Sequence, residues 1–307
     1  MEYTLHQLRV FLKVVENQSI TRAAEELFLS QPAVSIQLKK FQDQFPISLT
    51  EVVGRQIYIT AFGKEIAVAA KNILQEVEAI NYKSISYRGQ LSGKLTISIV
   101  STAKYVMPYF LTGFMEANKG VDLVMDVTNK AKVVRSLEKN AVDFAMVSVI
   151  PKPLKLEKVQ LMQNKLFLVG SSKLKVNPNQ SKRKIFANHP LIYREQGSAT
   201  RNAMETFIEK KDLSTYKKIE LTSNEALKQA VIAGLGFSIM PLIGIKNELK
   251  NGELQIVSFK GLPIITNWNL VWLSAKKLSP VSLAFLEYVK QEKEKIIEEY
   301  FDWFEKY

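Results

Sequence analysis

The sequence predicts an α/β protein headed by an all-helical domain that carries a helix-turn-helix. Apolar residues recur at helical spacing through the first 45 residues, interrupted by two short breaks. A proline-free stretch from Phe62 to about Arg88 follows and reads as one long helix. Beyond Gly93, short β-branched runs alternate with helical patterns, which argues for strands and helices layered around mostly parallel sheets.

Leu5, Leu8, Phe11, Leu12 and Val15 fall on one face of a first helix. At the break Asn17-Gln18-Ser19, Ser19 or Thr21 is placed to cap the next helix by accepting its orphan N–H bonds. That helix runs from Arg22 to Leu27, with Ala23 and Ala24 small enough for another helix to approach closely. After Phe28-Leu29-Ser30 a third helix opens with Pro32, whose missing N–H costs nothing at an early helical position. Its buried face is Val34, Leu38, Phe41 and Phe45. The opposite stripe is Gln31, Ser35, Lys39 and Gln42, flanked by Gln37 and Lys40, side chains of the kind that read base edges and phosphates. Any solvated helix face has a similar composition. The tight turn between two short helices, the second bearing the stripe, is what favours DNA recognition, with Arg22 facing phosphate from the helix before it.

Val52 and Val53, then Ile57 and Ile59, flank Gly54 in a small β-hairpin with Arg55 at its tip, a wing suited to minor-groove or phosphate contact. In the long helix, Ala70, Ile73, Val77, Ile80, Ser84 and Tyr87 alternate steps of three and four. With one apolar stripe and nothing nearby to cover it, this helix is expected to pair with a copy of itself. Packing against the following domain is the alternative. The helix should end at Gly89-Gln-Leu-Ser-Gly93. Strands are then expected at 95–99, 122–128, 142–149, 191–193, 219–221, 237–240 and 270–273. Helices are expected at 103–117, 130–139, 198–209, 224–233 and from Val281 onward.

The chain has 307 residues and no cysteine, and its two histidines, His6 and His189, lie far apart. Thiol nucleophiles, disulfides and Cys or Cys/His metal sites are therefore excluded, and nothing points to a bound metal or cofactor. The longest uncharged run, Gln229 to Ile245, is 17 residues and contains Gly234, Gly236, Pro241 and Gly244, which suits a buried segment and not a membrane span. The N-terminus lacks the pattern of a secretory signal, so a cytoplasmic location is expected. Net charge is +12, but residues 1–90 hold ten Lys/Arg against nine Asp/Glu, leaving 32 against 21 for the rest. DNA binding by the first part must therefore rest on local placement of Arg22, Lys39, Lys40 and Arg55.

These residues carry a family resemblance. Leu8-Arg-Val-Phe11, Ser19-Ile-Thr21-Arg-Ala23-Ala24-Glu-Glu-Leu27, Ser30-Gln31-Pro32-Ala33-Val34-Ser35, Gly54-Arg55 and Thr60-Ala-Phe-Gly63 resemble the LysR-type transcriptional regulators over the first 65 residues. Within that family, the second half resembles the branch that controls carbon-fixation operons, through Val100 to Tyr105, Arg194 to Arg201, Ser223 to Ala230, Gly234-Leu-Gly236 and Leu278-Ser-Pro280. Three positions depart from the pattern. Leu49-Thr50-Glu51-Val52 lacks the usual wing arginine, leaving Arg55 as the basic residue there, and Pro46 replaces a glycine. Ile36 stands where many members have arginine, and an apolar side chain there can touch a thymine methyl but cannot donate to guanine.

The resemblance implies a winged helix-turn-helix at 1–61, a linker or dimerisation helix at 62–89 and a two-lobed α/β effector domain like a periplasmic binding protein at 90–307. The lobes would span about 94–163 with 266–307, and about 164–265. It also implies double-stranded DNA with an inverted-repeat operator, a dimer or tetramer, RNA polymerase as a candidate partner, and a phosphorylated or related central metabolite as effector. The residues themselves agree on where polar groups converge. Ser101, Thr102 and Ala103 stand where a strand gives way to a helix, and Gly197, Ser198, Thr200 and Arg201 open another helix beside Arg194. Asn129, after the second strand, is a further candidate. Such a cleft suits a small carboxylate or phosphate, although each group also serves as a plain helix cap.

Other classes fit less well. Ser101-Thr-Ala-Lys104 matches S-x-x-K, but neither Ser-Asp-Asn nor Lys-Thr-Gly occurs, so the chain is not expected to be an enzyme using that motif. Gly234-Leu-Gly236 has Ile239 at the third glycine position and follows a helix, which fails the dinucleotide pattern. A solute-binding protein would need an export signal and no DNA-binding head. A module that has lost DNA binding, or an enzyme using the cleft between the lobes, remains the alternative reading.

Overall fold

The computed structural model describes residues 2–54, 56–86, 91–174 and 183–307, and the chain divides into two compact units, residues 1–90 and 91–307. Arg55, Tyr87 and the expected helix end at 89–93 as far as Gln90 lie outside the described residues.

The first unit contains α1 (Leu5–Asn17), α2 (Ile20–Leu27), α3 (Gln31–Gln42), the antiparallel hairpin β1 (Thr50–Val53) and β2 (Gln56–Ile59), and the long helix α4 (Ala61–Ser86). Each start has a chemical cause. Thr4 caps α1 by accepting from Gln7 N, and the Gln7 side chain accepts from Thr4 N in return. Ser19 accepts from Arg22 N and Ser30 from Ala33 N, so the two helices of the helix-turn-helix are each capped by a serine. Between them Phe28 takes left-handed geometry at φ 54, and Leu29 N bonds back to Ala24 O, closing the turn. The core is Leu8, Val10, Phe11, Val14, Ala23, Ala24, Val34, Leu38, Phe41, Leu49 and Ile57, completed by Ala67 and Ala70 from α4. Gly63 is required at the start of α4, because a Cβ there would lie 2.0 Å from the Leu49 carbonyl oxygen.

Two expectations are corrected here. Ala70, placed on the dimer seam from spacing alone, is 1% exposed in the core of its own chain, and the opening turns of α4 pack on the helices before them. Ile73 and Ile80 are exposed and Val77 half-buried, while the side chain of Ser84 lies outside the described residues. Gln42, placed on the expected DNA-reading stripe, instead accepts from Thr50 N at 2.9 Å and Thr50 Oγ1 at 2.8 Å, tying α3 to the hairpin.

The second unit runs β3 (Ser92–Val100), a 3-10 turn at Ala103–Tyr105, α5 (Met107–Ala117), β4 (Gly120–Thr128), α6 (Lys130–Glu138), β5 (Phe144–Val147) and β6 (Leu156–Ser171). It continues through α7 (Arg183–Asn188), β7 (Pro190–Arg194), α8 (Ala199–Lys210), β8 (Lys217–Leu221), α9 (Asn224–Ile232) and β9 (Ser238–Pro241). Then come α10 (Lys246–Lys250), β10 (Leu254–Ile256), β11 (Ile264–Leu273) and α11 (Pro280–Phe301). The principal sheet has the order β10-β6-β11-β5-β3-β4, with β9 also paired to β6.

Among the described residues only β3–β4 and β3–β5 are parallel there, and the other four pairings are antiparallel, which corrects the expectation of mostly parallel sheets. The cause is a pair of long strands, β6 and β11, that return through the sheet against each other. β3 is largely buried on both faces, although its apolar residues alternate with polar ones: Leu95, Ile97 and Ile99 are buried on one face, and on the other Ser98 is buried and Thr96 half-buried. β7 and β8 form a separate parallel pair. One core surrounds β3, β5, α5 and α11, and a second gathers Phe186, Leu191, Met204, Phe207 and Phe237 around β7 and α8.

Candidate functional site

In the first unit, α3 buries Val34, Leu38 and Phe41 and leaves Gln31, Pro32, Lys39 and Lys40 exposed, with Ser35 and Gln37 half-buried beside them. Arg22 is exposed on α2. The surface therefore offers two lysines and several hydrogen-bonding groups along one short helix, which suits phosphate positioning and base reading.

In the second unit, three strands end at one solvent-open cleft. Val100 ends β3 and is followed by Ser101 and Thr102, Asn129 and Lys130 follow β4, and Arg194 ends β7, with Ser198, Ala199 and Thr200 beyond it. The first turns of α6 and α8 both open there, so their unpaired N–H groups raise the local affinity for an anion. Asn129 caps α6 by accepting from Lys132 N at 3.1 Å, which leaves its amide nitrogen free to donate. Gly197, at φ 84, makes the sharp entry to α8, and a Cβ there would stand 3.0 Å from the Ala131 methyl on α6.

The polar groups divide into those already satisfied and those left open. Ser101 Oγ donates to Thr128 O at 3.1 Å and accepts from Arg194 Nη2 at 3.3 Å. Arg194, 4% exposed, holds Glu195 with a two-point fork at 2.8 and 3.0 Å and also donates to Asn224 Oδ1. Ser198 Oγ faces Arg201 N as the helix cap. Thr102, 7% exposed, makes no side-chain capping bond, and neither its hydroxyl, the Thr200 hydroxyl nor the Lys130 ammonium has a hydrogen-bond or ion-pair partner among the described residues. Burial alone pulls the Lys130 pKa below its ordinary value. A partly desolvated lysine without a carboxylate among the described residues, beside two hydroxyls and two helix openings, is an arrangement that an incoming anion completes.

Of the residues expected in the site, Ser101, Thr102, Asn129, Ser198 and Thr200 are brought together. Ala103 is fully buried at the start of the 3-10 turn, and Gly197 shapes the rim. Arg201 is directed elsewhere: it is 3% exposed and bonds Glu205 Oε1 at 2.9 Å, Glu220 Oε2 at 2.6 Å and the Arg194 carbonyl at 2.9 Å. Lys130 is the residue sequence reasoning missed. Its one signal was adjacency to Asn129 at the end of a strand. No group of three or more His, Asp or Glu that would hold a metal occurs among the described residues.

Comparison with known proteins follows the same two units. Residues 5–64 match the bacterial regulatory helix-turn-helix protein, lysR family, and residues 88–294 match the LysR substrate binding domain. The chain belongs to the LysR family. This LysR-type chain is a DNA-binding transcriptional regulator with an effector-binding domain of two α/β lobes. It is 36% identical over 296 residues to the RuBisCO operon transcriptional regulator of Allochromatium vinosum, covering 95% of this chain and 97% of that one. The regulatory domain of CcmR from Synechocystis PCC6803, solved in complex with 2-PG, is 27% identical with a TM-score of 0.62, covering 66% of this chain and 98% of that one. Full-length CbnR complexed with its target DNA shares the fold at 19% identity and a TM-score of 0.63, covering 95% of this chain and 99% of that one. These relatives are named as regulators, not enzymes. Among the described residues no helix is long and apolar enough to cross a membrane.

Proposed function

We propose that this LysR-type regulator binds a small anion with a carboxylate or phosphoryl group in the cleft where β3, β4 and β7 end, and that the anion controls its action on DNA. The observation that carries the reading is Lys130, half-buried and without an acid partner among the described residues, together with the open Thr102 and Thr200 hydroxyls. The Asn129 amide and the first N–H groups of α6 and α8 complete a donor set with no carboxylate lining it. Arg194, although buried in the cleft wall, is already neutralised by Glu195 and acts as scaffold. 2-phosphoglycolate, the ligand of the Synechocystis regulatory domain, has the charge and size such a donor set suits. The relatives' role at carbon-fixation operons points the same way.

The anion would join the two lobes, taken as about 94–163 with 266–307 and about 164–265, and favour the arrangement in which both donor sets reach it. It shifts the protein only as far as it binds that arrangement better. The regulator is expected in the cytoplasm as a homodimer or tetramer on an inverted-repeat operator, with Ile73, Val77 and Ile80 of α4 at the pairing face and Gln31, Pro32, Ser35, Gln37, Lys39, Lys40, Arg22 and Arg55 at the DNA.

Calorimetric titration of the full chain with 2-phosphoglycolate, glycolate, inorganic phosphate and acetate tests the reading. Tightest binding by the phosphorylated carboxylate, lost in Thr102→Val while DNA binding persists, is the expected result. Equal indifference to all four, or an unchanged Thr102→Val, would move the site elsewhere.

A further inference from the structure

We infer that Ile36 is a specificity-determining residue that reads the C5-methyl group of thymine at one base pair of each operator half-site. The inference rests on α3 being the recognition helix. Val34, Leu38 and Phe41 mark the core side of α3 at 0%, 6% and 0% exposure. At about 100° per residue, Ile36 projects about 170° from their mean direction, the outermost point of the helix. It is 53% exposed and packs against none of the core of its unit. One turn to either side stand Pro32 and Lys40, with Lys39 next to it, all exposed.

Single exposed apolar residues are ordinary on protein surfaces and need no explanation by themselves. The position of this one does. The lysines beside it neutralise phosphates and hold the helix in the groove, so the isoleucine is pressed against base edges whether or not they suit it. A branched side chain has no donor or acceptor to replace the water it strips from guanine, cytosine or adenine. The thymine methyl is the hydrocarbon surface the major groove offers. Ile36 therefore rewards thymine and penalises the other bases at the same point.

Thymine-to-deoxyuridine replacement removes that methyl and nothing else, which makes it the test. The preferred duplex is first selected by the full-length protein from a random-sequence library. Each thymine is then replaced symmetrically in both half-sites. One replacement should weaken wild-type binding about fifteen-fold, about four-fold per half-site for one methyl returned to water. The same replacement should cost Ile36→Ala less than about two-fold. Ile36→Arg should move the preference at that base pair to guanine, through its fork on O6 and N7. Ile36→Ala should also keep the wild-type salt slope, whereas Lys39→Ala lowers it by about one per subunit. If no deoxyuridine position matters, or the same one matters equally in Ile36→Ala, the inference is wrong while DNA binding stands. Failure to select any duplex at low salt would overturn the recognition-helix assignment and this inference with it.

Discussion

Lys130→Met is predicted to leave the fold intact and disable the cleft. Lysine at this position is held with its charge partly out of water and without an acid partner among the described residues, so the folded state gains no ion pair from it. Methionine keeps the length of the side chain and removes the desolvation cost. The melting temperature should therefore change by less than about 2 °C, which for a unit of this size corresponds to at most about 1 kcal/mol. Anion binding should respond differently. A hydrogen bond to a charged group contributes about 1.5–3 kcal/mol, so affinity for 2-phosphoglycolate should fall about 10- to 150-fold. Calorimetry on the full chain reads the affinity and a thermal melt reads the stability. The sign of the pH dependence follows from the lowered pKa. In the free protein Lys130 deprotonates earlier than an exposed lysine, and an anion restores the charge. Binding thus takes up a proton on the alkaline side and weakens as pH rises, a dependence that Lys130→Met should lack. A melting temperature lowered by several degrees, or an affinity that survives the substitution, would refute the reasoning.

Two further outcomes follow from groups the fold has already committed. Arg201→Met should destabilise the effector unit by about 2–4 kcal/mol in urea unfolding, because Glu205, Glu220 and the Arg194 carbonyl lose one shared buried donor. Anion affinity measured on the folded protein should stay within about two-fold, and a selective loss of affinity would restore Arg201 to the ligand site. Gln42→Ala should loosen the wing by about 1–2 kcal/mol, seen as faster amide exchange at Thr50, with weaker operator binding and unchanged oligomeric state. Unchanged protection at Thr50 would show that the hairpin is held by something else.

The helices were legible in the sequence because their apolar spacing and caps agree. Ser19 and Ser30 sit at the helix starts that their chemistry predicts, and Val34, Leu38 and Phe41 are buried as the spacing demands. The sheet was less legible. β6 opens with Glu157, Lys158, Gln160 and Gln163 exposed at irregular spacing, then is continuously buried from Asn164 to Ser171, so no single periodicity describes it. Its partner β11 shifts register between Asn267 and Asn269, which hides its first half. The same difficulty affected α4. Heptad spacing identifies an apolar stripe but not what covers it, and Ala70 turned out to face its own chain.

In the cleft, Thr102, Ser198 and Asn129 could be found because strand-to-helix junctions with small polar residues have a recognisable pattern. Lys130 could not, being one cation among 42 Lys/Arg. Arg201 misled for the opposite reason: adjacency in sequence to a helix opening says nothing of where a long side chain turns, and Glu205 and Glu220 decide it.

If one chain couples operator binding to a small anion, footprinting the purified protein on the DNA upstream of its own gene, with and without 2-phosphoglycolate, will show it. A protected inverted repeat is expected whose extent changes with the anion in the wild type and not in Lys130→Met. Protection that is identical with and without the anion in both proteins would contradict it.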